Sequence, residues 1–261
     1  MKKDITVILR SVGERTEQVC LSHIKQEIPE CNIFLIKNKS LSESTIELCK
    51  TAIKTGRPWT LLIGGDYIPR PGFLGKLHLG AKLATANTQL VKGTIIDKFA
   101  MELRGESGGP HLYRTDLLKT WLQILPGVDN GITTEAQCQK YFCKKGYIAQ
   151  RNTFWVALHD FEQKYKDIYR SMFVYGRKWP KLQELLPRWG RLALNDNDFK
   201  VALYAYKKGA EYKKAVNADF QLDYGFSESP FKTWEKSPLK KGLYDVSNYH
   251  GLSYESYSGI V

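Results

Sequence analysis

Nowhere does the sequence approach the roughly 20 consecutive apolar residues of a membrane-spanning helix. Its first apolar run, Ile5 to Leu9, is too short for a signal peptide. The five cysteines (Cys20, Cys31, Cys49, Cys138, Cys143) contain no Cys-x-x-Cys pair and no zinc spacing. An odd number of thiols in helix-like or strand-like surroundings points to reduced, mostly buried side chains and a cytoplasmic protein. There is no Gly-x-x-x-x-Gly-Lys phosphate loop, no Gly-x-Gly-x-x-Gly after the first strand and no Gly-x-Ser-x-Gly nucleophile elbow. These absences argue against the common NTPase, dehydrogenase and hydrolase classes. Internal repeats and low-complexity tracts are also missing.

What is present is an ordinary globular composition with an excess of positive charge. With 261 residues, 43% of them hydrophobic and 25% charged, the chain can bury a full core as one large domain or a domain with an appended subdomain. Lys and Arg outnumber Asp and Glu by 39 to 27, a formal +12. That balance favours polyanionic partners: phosphorylated substrates, anionic lipid head groups or nucleic acid. The excess is spread out, with 17 basic and 12 acidic residues in the last 101. Without a dense basic tract, no specific nucleic-acid partner is expected.

Apolar periodicity and turn residues predict a strand over Ile5–Leu9, a loop from Arg10 to Thr16 and a helix over Glu17–Ile28 that Pro29 stops. A strand over Cys31–Ile36, a turn at Asn38-Lys39-Ser40, a helix capped by Ser42 and running to about Lys54, and a strand over Trp59–Ile63 follow. This alternation implies βαβ units and a parallel sheet. Beyond it the pattern predicts a helix over Gly72–Ala86 and strands over Gln89–Ile96 and Pro110–Arg114. Helices over Thr115–Gln123 and Glu135–Lys144 come next, the second closed by Gly146, then a last short strand over Tyr147–Ala149. From His159 the character changes: Phe161, Tyr165, Ile168, Met172 and Tyr175 recur at helical spacing, and 11 of the 15 tyrosines follow residue 160. An α/β domain over 1–158 and a helical arm over 159–261 are therefore expected.

The stretch that carries most chemistry is Gly64-Gly65-Asp66, where the third strand ends, followed by the turn Pro69-Arg70-Pro71-Gly72. Ligands of open α/β sheets bind beyond the carbonyl ends of such strands. A carboxylate there, beside two glycines that allow close approach, suits a metal or phosphate site. The competing reading is a solvated aspartate that closes a turn. Glu135 has the same duality, because a carboxylate in a helix's first turn is also what the helix dipole favours. His159 could be a ligand or a structural histidine.

Three segments together resemble a family-2-type glycosyltransferase of the GT-A fold. Ile8-Leu9-Arg10-Ser11-Val12-Gly13-Glu14 is similar to the family's first strand and nucleotide loop, with Arg10 in place of its proline and Gly13 in place of its asparagine. Gly64-Gly65-Asp66-Tyr67-Ile68-Pro69 resembles the Asp-x-Asp segment, keeping the last aspartate and losing the first. His111 to Asp116, followed by Thr134-Glu135 and Gly146-Tyr147, resembles the segment that carries the catalytic base. The resemblance covers roughly residues 4 to 160. It implies a Rossmann-like, mixed but mostly parallel sheet with helices on both faces, plus a C-terminal helical extension.

The resemblance also implies an activity: sugar transfer from a nucleotide-diphosphate sugar to a glycan or lipid-linked acceptor in surface polysaccharide synthesis, with inversion. A divalent metal, Mn2+ or Mg2+, would be held by Asp66 and His159. Donor contacts would come from Arg10, Ser11, Gly13, Glu14, Asn38, Gly64, Gly65 and Asp66, and Glu135 would be the base. The location implied is cytoplasmic, at most peripheral to the inner face of a membrane. The alternative is a GT-A-fold nucleotide- or glycan-binding protein without turnover, suggested by the missing first carboxylate.

Overall fold

The computed structural model describes residues 3–100, 103–104, 109–125, 134–214, 216, 222–239 and 246. Two compact units divide it, the first running up to residue 161 and the second spanning 162–239. In the first, chain order is β1 (Ile5–Ser11), α1 (Glu17–Glu27), β2 (Ile33–Lys37), α2 (Leu41–Thr55), β3 (Trp59–Gly64), β4 (Tyr67–Pro69), α3 (Phe73–Lys82) and β5 (Thr88–Asp97). Then come β6 (Leu103–Arg104), β7 (His111–Arg114), α4 (Leu118–Ile124), α5 (Thr134–Lys144) and β8 (Ile148–His159). One eight-stranded sheet has the order β2-β1-β3-β7-β5-β8-β4, with β6 beside β5. β2, β1 and β3 are mutually parallel, as are β5 and β8, and these are the longer ladders; the other pairings are antiparallel. The fold class is thus a mixed α/β sheet.

Strand alternation sorts the core into two layers. Ile5, Val7, Leu9, Leu61 and Ile63 face α1 and α3, through Cys20, Ile24, Phe73, Leu74 and Leu77. Ile8, Leu62 and Leu90 face α2, α4 and α5, through Leu48, Cys49, Trp121 and Phe142. Each fully buried leucine or isoleucine contributes roughly 2 kcal/mol of transfer free energy, so both faces of the sheet must be covered, and they are.

Local chemistry sets several element ends. Ser40, not Ser42, caps α2: its Oγ accepts from Glu43 N while the Glu43 carboxylate accepts from Ser40 N, a reciprocal capping box. The Pro-rich stretch after Asp66 contains the short strand β4, which the turn residues hid. The largest departure is β8, expected to end near Ala149 and in fact continuing to His159. Its register against β5 shifts at three places, and such bulges break the alternation by which a strand is recognised. Residues 126–133, between the two expected helices, lie outside the described residues, and Thr134, one position before the expected start of the second, is already helical.

The second unit is helical: α6 (Tyr165–Lys178), α7 (Leu186–Leu192) and α8 (Asn197–Glu211), the last capped by Asp196. α6 and α8 cross at two glycines. A Cβ on Gly176 would lie 2.0 Å from Tyr206 O, and one on Gly209 only 1.9 Å from Phe173 O. Only residues without a side chain allow backbones this close. Around the crossing, Phe173 stacks on Tyr224 at 4.8 Å, and Tyr169 meets Phe226 edge-on.

Candidate metal centre

β3, β5 and β8 point the same way, and each delivers a side chain just beyond its carbonyl end. Asp66 follows β3, Asp97 ends β5 and His159 ends β8. In the sheet register His159 pairs with Asp97 on one side and with Tyr67 on the other. The tertiary pairing therefore places an imidazole between a carboxylate and an aromatic ring. His159 Nδ1 lies 2.9 Å from Asp97 Oδ2, and its Nε2 lies 3.4 Å from Asp66 Oδ2. Asp160 Oδ2 is 3.6 Å from Nδ1. The Tyr67 ring stacks on the imidazole with centroids 4.6 Å apart.

Asp97 is itself fixed. Its Oδ1 accepts from Phe99 N at 3.0 Å and from Ala100 N at 2.7 Å, so turning the carboxylate would forfeit two backbone bonds. Asp160 adopts φ +60°, a left-handed conformation that, among residues other than glycine, Asn and Asp adopt most readily.

Among the described residues, one ligand atom each from Asp66, His159 and Asp160 lie within 4.8 Å of one another, a spacing that could hold a metal ion. Two carboxylates and an imidazole fit a first-row divalent cation with mixed oxygen and nitrogen ligands, Mn2+ more naturally than all-oxygen Mg2+. Asp97 stands where the orienting carboxylate of a metal-bound histidine stands. The electrostatics agree with this donor set. Burial alone would lower the His159 pKa, but Asp160, Asp66 and Asp97 together push it well above the usual value. Burial raises Asp66, yet His159 and Arg10 hold its carboxyl below the ordinary range.

The expected donor-loop residues meet at the same end of the sheet. Ser11 Oγ is 2.5 Å from both Glu14 Oε2 and Glu17 Oε2. The two carboxylates are shifted in opposite directions: burial and the nearby Asp66 charge raise Glu14, whereas Lys37 and Ser11 lower Glu17 against its own burial. Val12 N donates to Glu14 at 2.9 Å, and Gly13 N donates to Ser11 Oγ at 3.0 Å with φ +86° at Gly13. Asn38, at φ +53°, donates its N–H to Ser11 O at 3.0 Å.

Gly64 and Gly65 are close-approach positions: a Cβ on Gly64 would lie 2.3 Å from Asp66 Oδ1, and one on Gly65 2.7 Å from Glu14 Oε2. Glu135, on the first turn of α5, forms an ion pair with Arg10 at 2.6 Å, and Tyr113 OH lies 3.5 Å from its other oxygen. Asp97 and Asp160 were not assigned by sequence reasoning. For Asp97 a signal existed: like Asp66, it is a carboxylate closing an apolar strand.

No family model and no curated protein sequence matches the chain. Among solved structures it is similar to a 4-diphosphocytidyl-2C-methyl-D-erythritol synthase from Anaerococcus prevotii. That match is 14% identical, covers 62% of this chain and 91% of the other, and has a TM-score of 0.41. A glycosyltransferase involved in glycosylation of the major capsid of PBCV-1 aligns at 12% identity over 60% of this chain and 82% of its own, TM-score 0.39. A mannose-1-phosphate geranyltransferase from Thermus thermophilus aligns at 13% identity over 77% and 67%, TM-score 0.31.

Proposed function

We propose that the protein is a metal-dependent glycosyltransferase that takes a nucleotide-diphosphate sugar as donor and a glycan or lipid-linked chain as acceptor, as in surface polysaccharide synthesis. The observation that carries this reading is the convergence of Asp66, His159 and Asp160 beyond the carbonyl ends of β3 and β8. Asp160 also answers the weakness of the Gly64-Gly65-Asp66 motif. A carboxylate at position 64 would collide with Asp66 itself, and β8 supplies a second carboxylate instead.

A divalent cation, when bound, supplies Lewis-acid neutralisation of the diphosphate leaving group. Asp66, His159 and Asp160 would hold it. The backbone from Ser11 to Glu14, stiffened by the Ser11–Glu14 contacts, would shape the wall against which the nucleotide lies, with Asn38, Gly64 and Gly65 lining the adjoining loops. Arg10 suits a bidentate contact with a phosphate. Its ion pair with Glu135 would then be exchanged for the donor's charge, releasing Glu135 to accept the proton of the attacking hydroxyl and allow in-line displacement with inversion.

A second reading, binding without turnover, is favoured by that same ion pair, which occupies the base in this structure. The test is thermal stabilisation by a panel of nucleoside diphosphates with and without Mn2+, followed by sugar-nucleotide turnover. Stabilisation that requires Mn2+ and disappears in Asp66→Ala is expected, together with turnover lost in Glu135→Gln. Stabilisation without turnover would select the binding reading, and no response to any nucleotide would remove the donor site, leaving glycan binding alone.

A further inference from the structure

We infer that the open edge of the sheet, formed by β8 and the outer face of α3, is a docking surface for a membrane that carries anionic head groups. Among the described residues, the β4 ladder covers only Ala157–His159 of β8, and the preceding part of the strand is an edge. Exposed apolar side chains collect along it: Phe154 is 47% exposed and Ile148 49%, while on α3 and its end Leu79 is 52% and Leu83 69% exposed. Lys76, Leu79 and Leu83 follow one helical stripe at i, i+3 and i+7. Cations lie on the aromatics: Lys76 Nζ is 4.4 Å from the Phe154 ring centroid, and Arg70 Cζ is 4.7 Å from that of Trp155. Long basic side chains that cover apolar rings and present their charge outward are what an interfacial surface requires.

The charge pattern selects the occupant. α3 carries two exposed lysines, Lys76 and Lys82, and no Asp or Glu, and β8 carries Arg151 and no Asp or Glu. Among the described residues, Glu27 and Asp4 bring carboxylates to α3: Glu27 accepts from Gly72 N and Leu74 N, and Asp4 pairs with His78 at 3.2 Å. Apolar groups exposed beside these cations match a bilayer with negative head groups, where each cation near the surface is worth about fivefold in affinity. No helix of the described residues is long and apolar enough to cross a membrane, so contact would be made by lying on it. Arg70 N bonds Val156 O, three residues before His159. The edge thus runs toward the metal centre, within reach of an acceptor anchored in lipid.

The inference stands apart from the chemistry of that centre, and vesicle flotation tests it separately. The protein should float with phosphatidylcholine vesicles containing phosphatidylglycerol, not with phosphatidylcholine alone, and added salt should release it. Lys76→Glu/Lys82→Glu should weaken binding by more than about 25-fold, and Leu79→Ser/Leu83→Ser by about tenfold. Lys50→Glu, the same charge change on exposed α2, should cost fivefold or less, with circular dichroism melts confirming that all variants are folded. Absence of flotation on mixed vesicles would overturn the inference. So would equal losses from the edge pair and from Lys50→Glu per charge reversed, or a wild-type dimer in sedimentation that both edge variants abolish.

Discussion

His159 and His111 lie in one sheet, both nearly buried at 9% and 4% exposure, yet their surroundings shift their pKa values in opposite directions. At the end of β8 three carboxylates surround His159 and favour its imidazolium. On β7, burial and the neighbouring Lys92 push His111 down to about 3, and it stays neutral with its ring edge-on to Tyr113. Burial is common to both, so the partners decide. The difference teaches that the carbonyl ends of β3, β5 and β8 gather three carboxylates around one imidazole. One strand away, the sheet interior excludes charge as any core does.

The strongest way to break this arrangement is Gly64→Asp, the change that would place a second carboxylate two residues before Asp66. Because a Cβ there lies 2.3 Å from Asp66 Oδ1, the added side chain should displace Asp66. The expected cost is about 3 kcal/mol in denaturant-measured stability, with weaker Mn2+ binding. Tighter Mn2+ binding in this variant, read by titration calorimetry, would show that the site is a relaxed form of the ordinary motif.

Asp97→Asn sharpens the comparison by leaving shape intact and removing the charge that orients His159. Mn2+ affinity should fall about 10- to 100-fold, and the ion-free protein should lose roughly 2 kcal/mol, because the buried His159 loses the charge of its carboxylate partner. Unchanged affinity would assign Asp97 a purely structural role, as the anchor of the Phe99 and Ala100 amides.

The smallest effect expected is on the other side of the comparison. A histidine with a folded pKa near 3 and an unfolded value near 6.5 binds its proton only in the unfolded state across the range between. Its contribution is therefore present above about pH 6.5 and is lost as the pH falls. Between pH 6.5 and 5.5 this should cost about 1 kcal/mol, and His111→Phe should flatten that part of the stability profile. A slope unaffected by the substitution would place the acid sensitivity elsewhere.

Much of the first unit was legible in residues alone, because buried parallel strands announce themselves. Ile5 to Leu9 and Trp59 to Ile63 are apolar runs closed by turn residues, and both are strands flanked by the expected helices. Misjudged elements are those in which local signals compete. Ser42 lies two residues from the true cap because Ser40 and Ser42 are equally good acceptors, and only the reciprocal bond with Glu43 chooses between them. β4 carries a proline and is three residues long, so its turn character dominated. The length of β8 was hidden by bulges and by the polar run Gln150-Arg151-Asn152-Thr153.

Within the site, Asp66 and His159 could be singled out by residue type and position, and the structure brings them to 3.4 Å. Asp97 is different. It lies far from either in sequence, and its role exists only because Asp97 and His159 are register partners on parallel strands. Likewise, nothing local pairs Arg10 with Glu135. In the second unit, periodicity predicted helices from the recurring aromatics. That Gly176 and Gly209 would meet each other's helix backbones depends on the crossing itself.

The sequence by itself determined the alternation of strands and helices, the absence of the common nucleotide-loop and nucleophile motifs, and a carboxylate at the carbonyl end of β3. These follow from short-range sterics and from the period of apolar residues. Only the tertiary structure decided what that carboxylate faces. Strand order and register brought His159 and Asp160 beside Asp66 and pinned His159 with Asp97. Charges in a buried site acquire their meaning from neighbours a few ångströms away in space, whatever their distance along the chain.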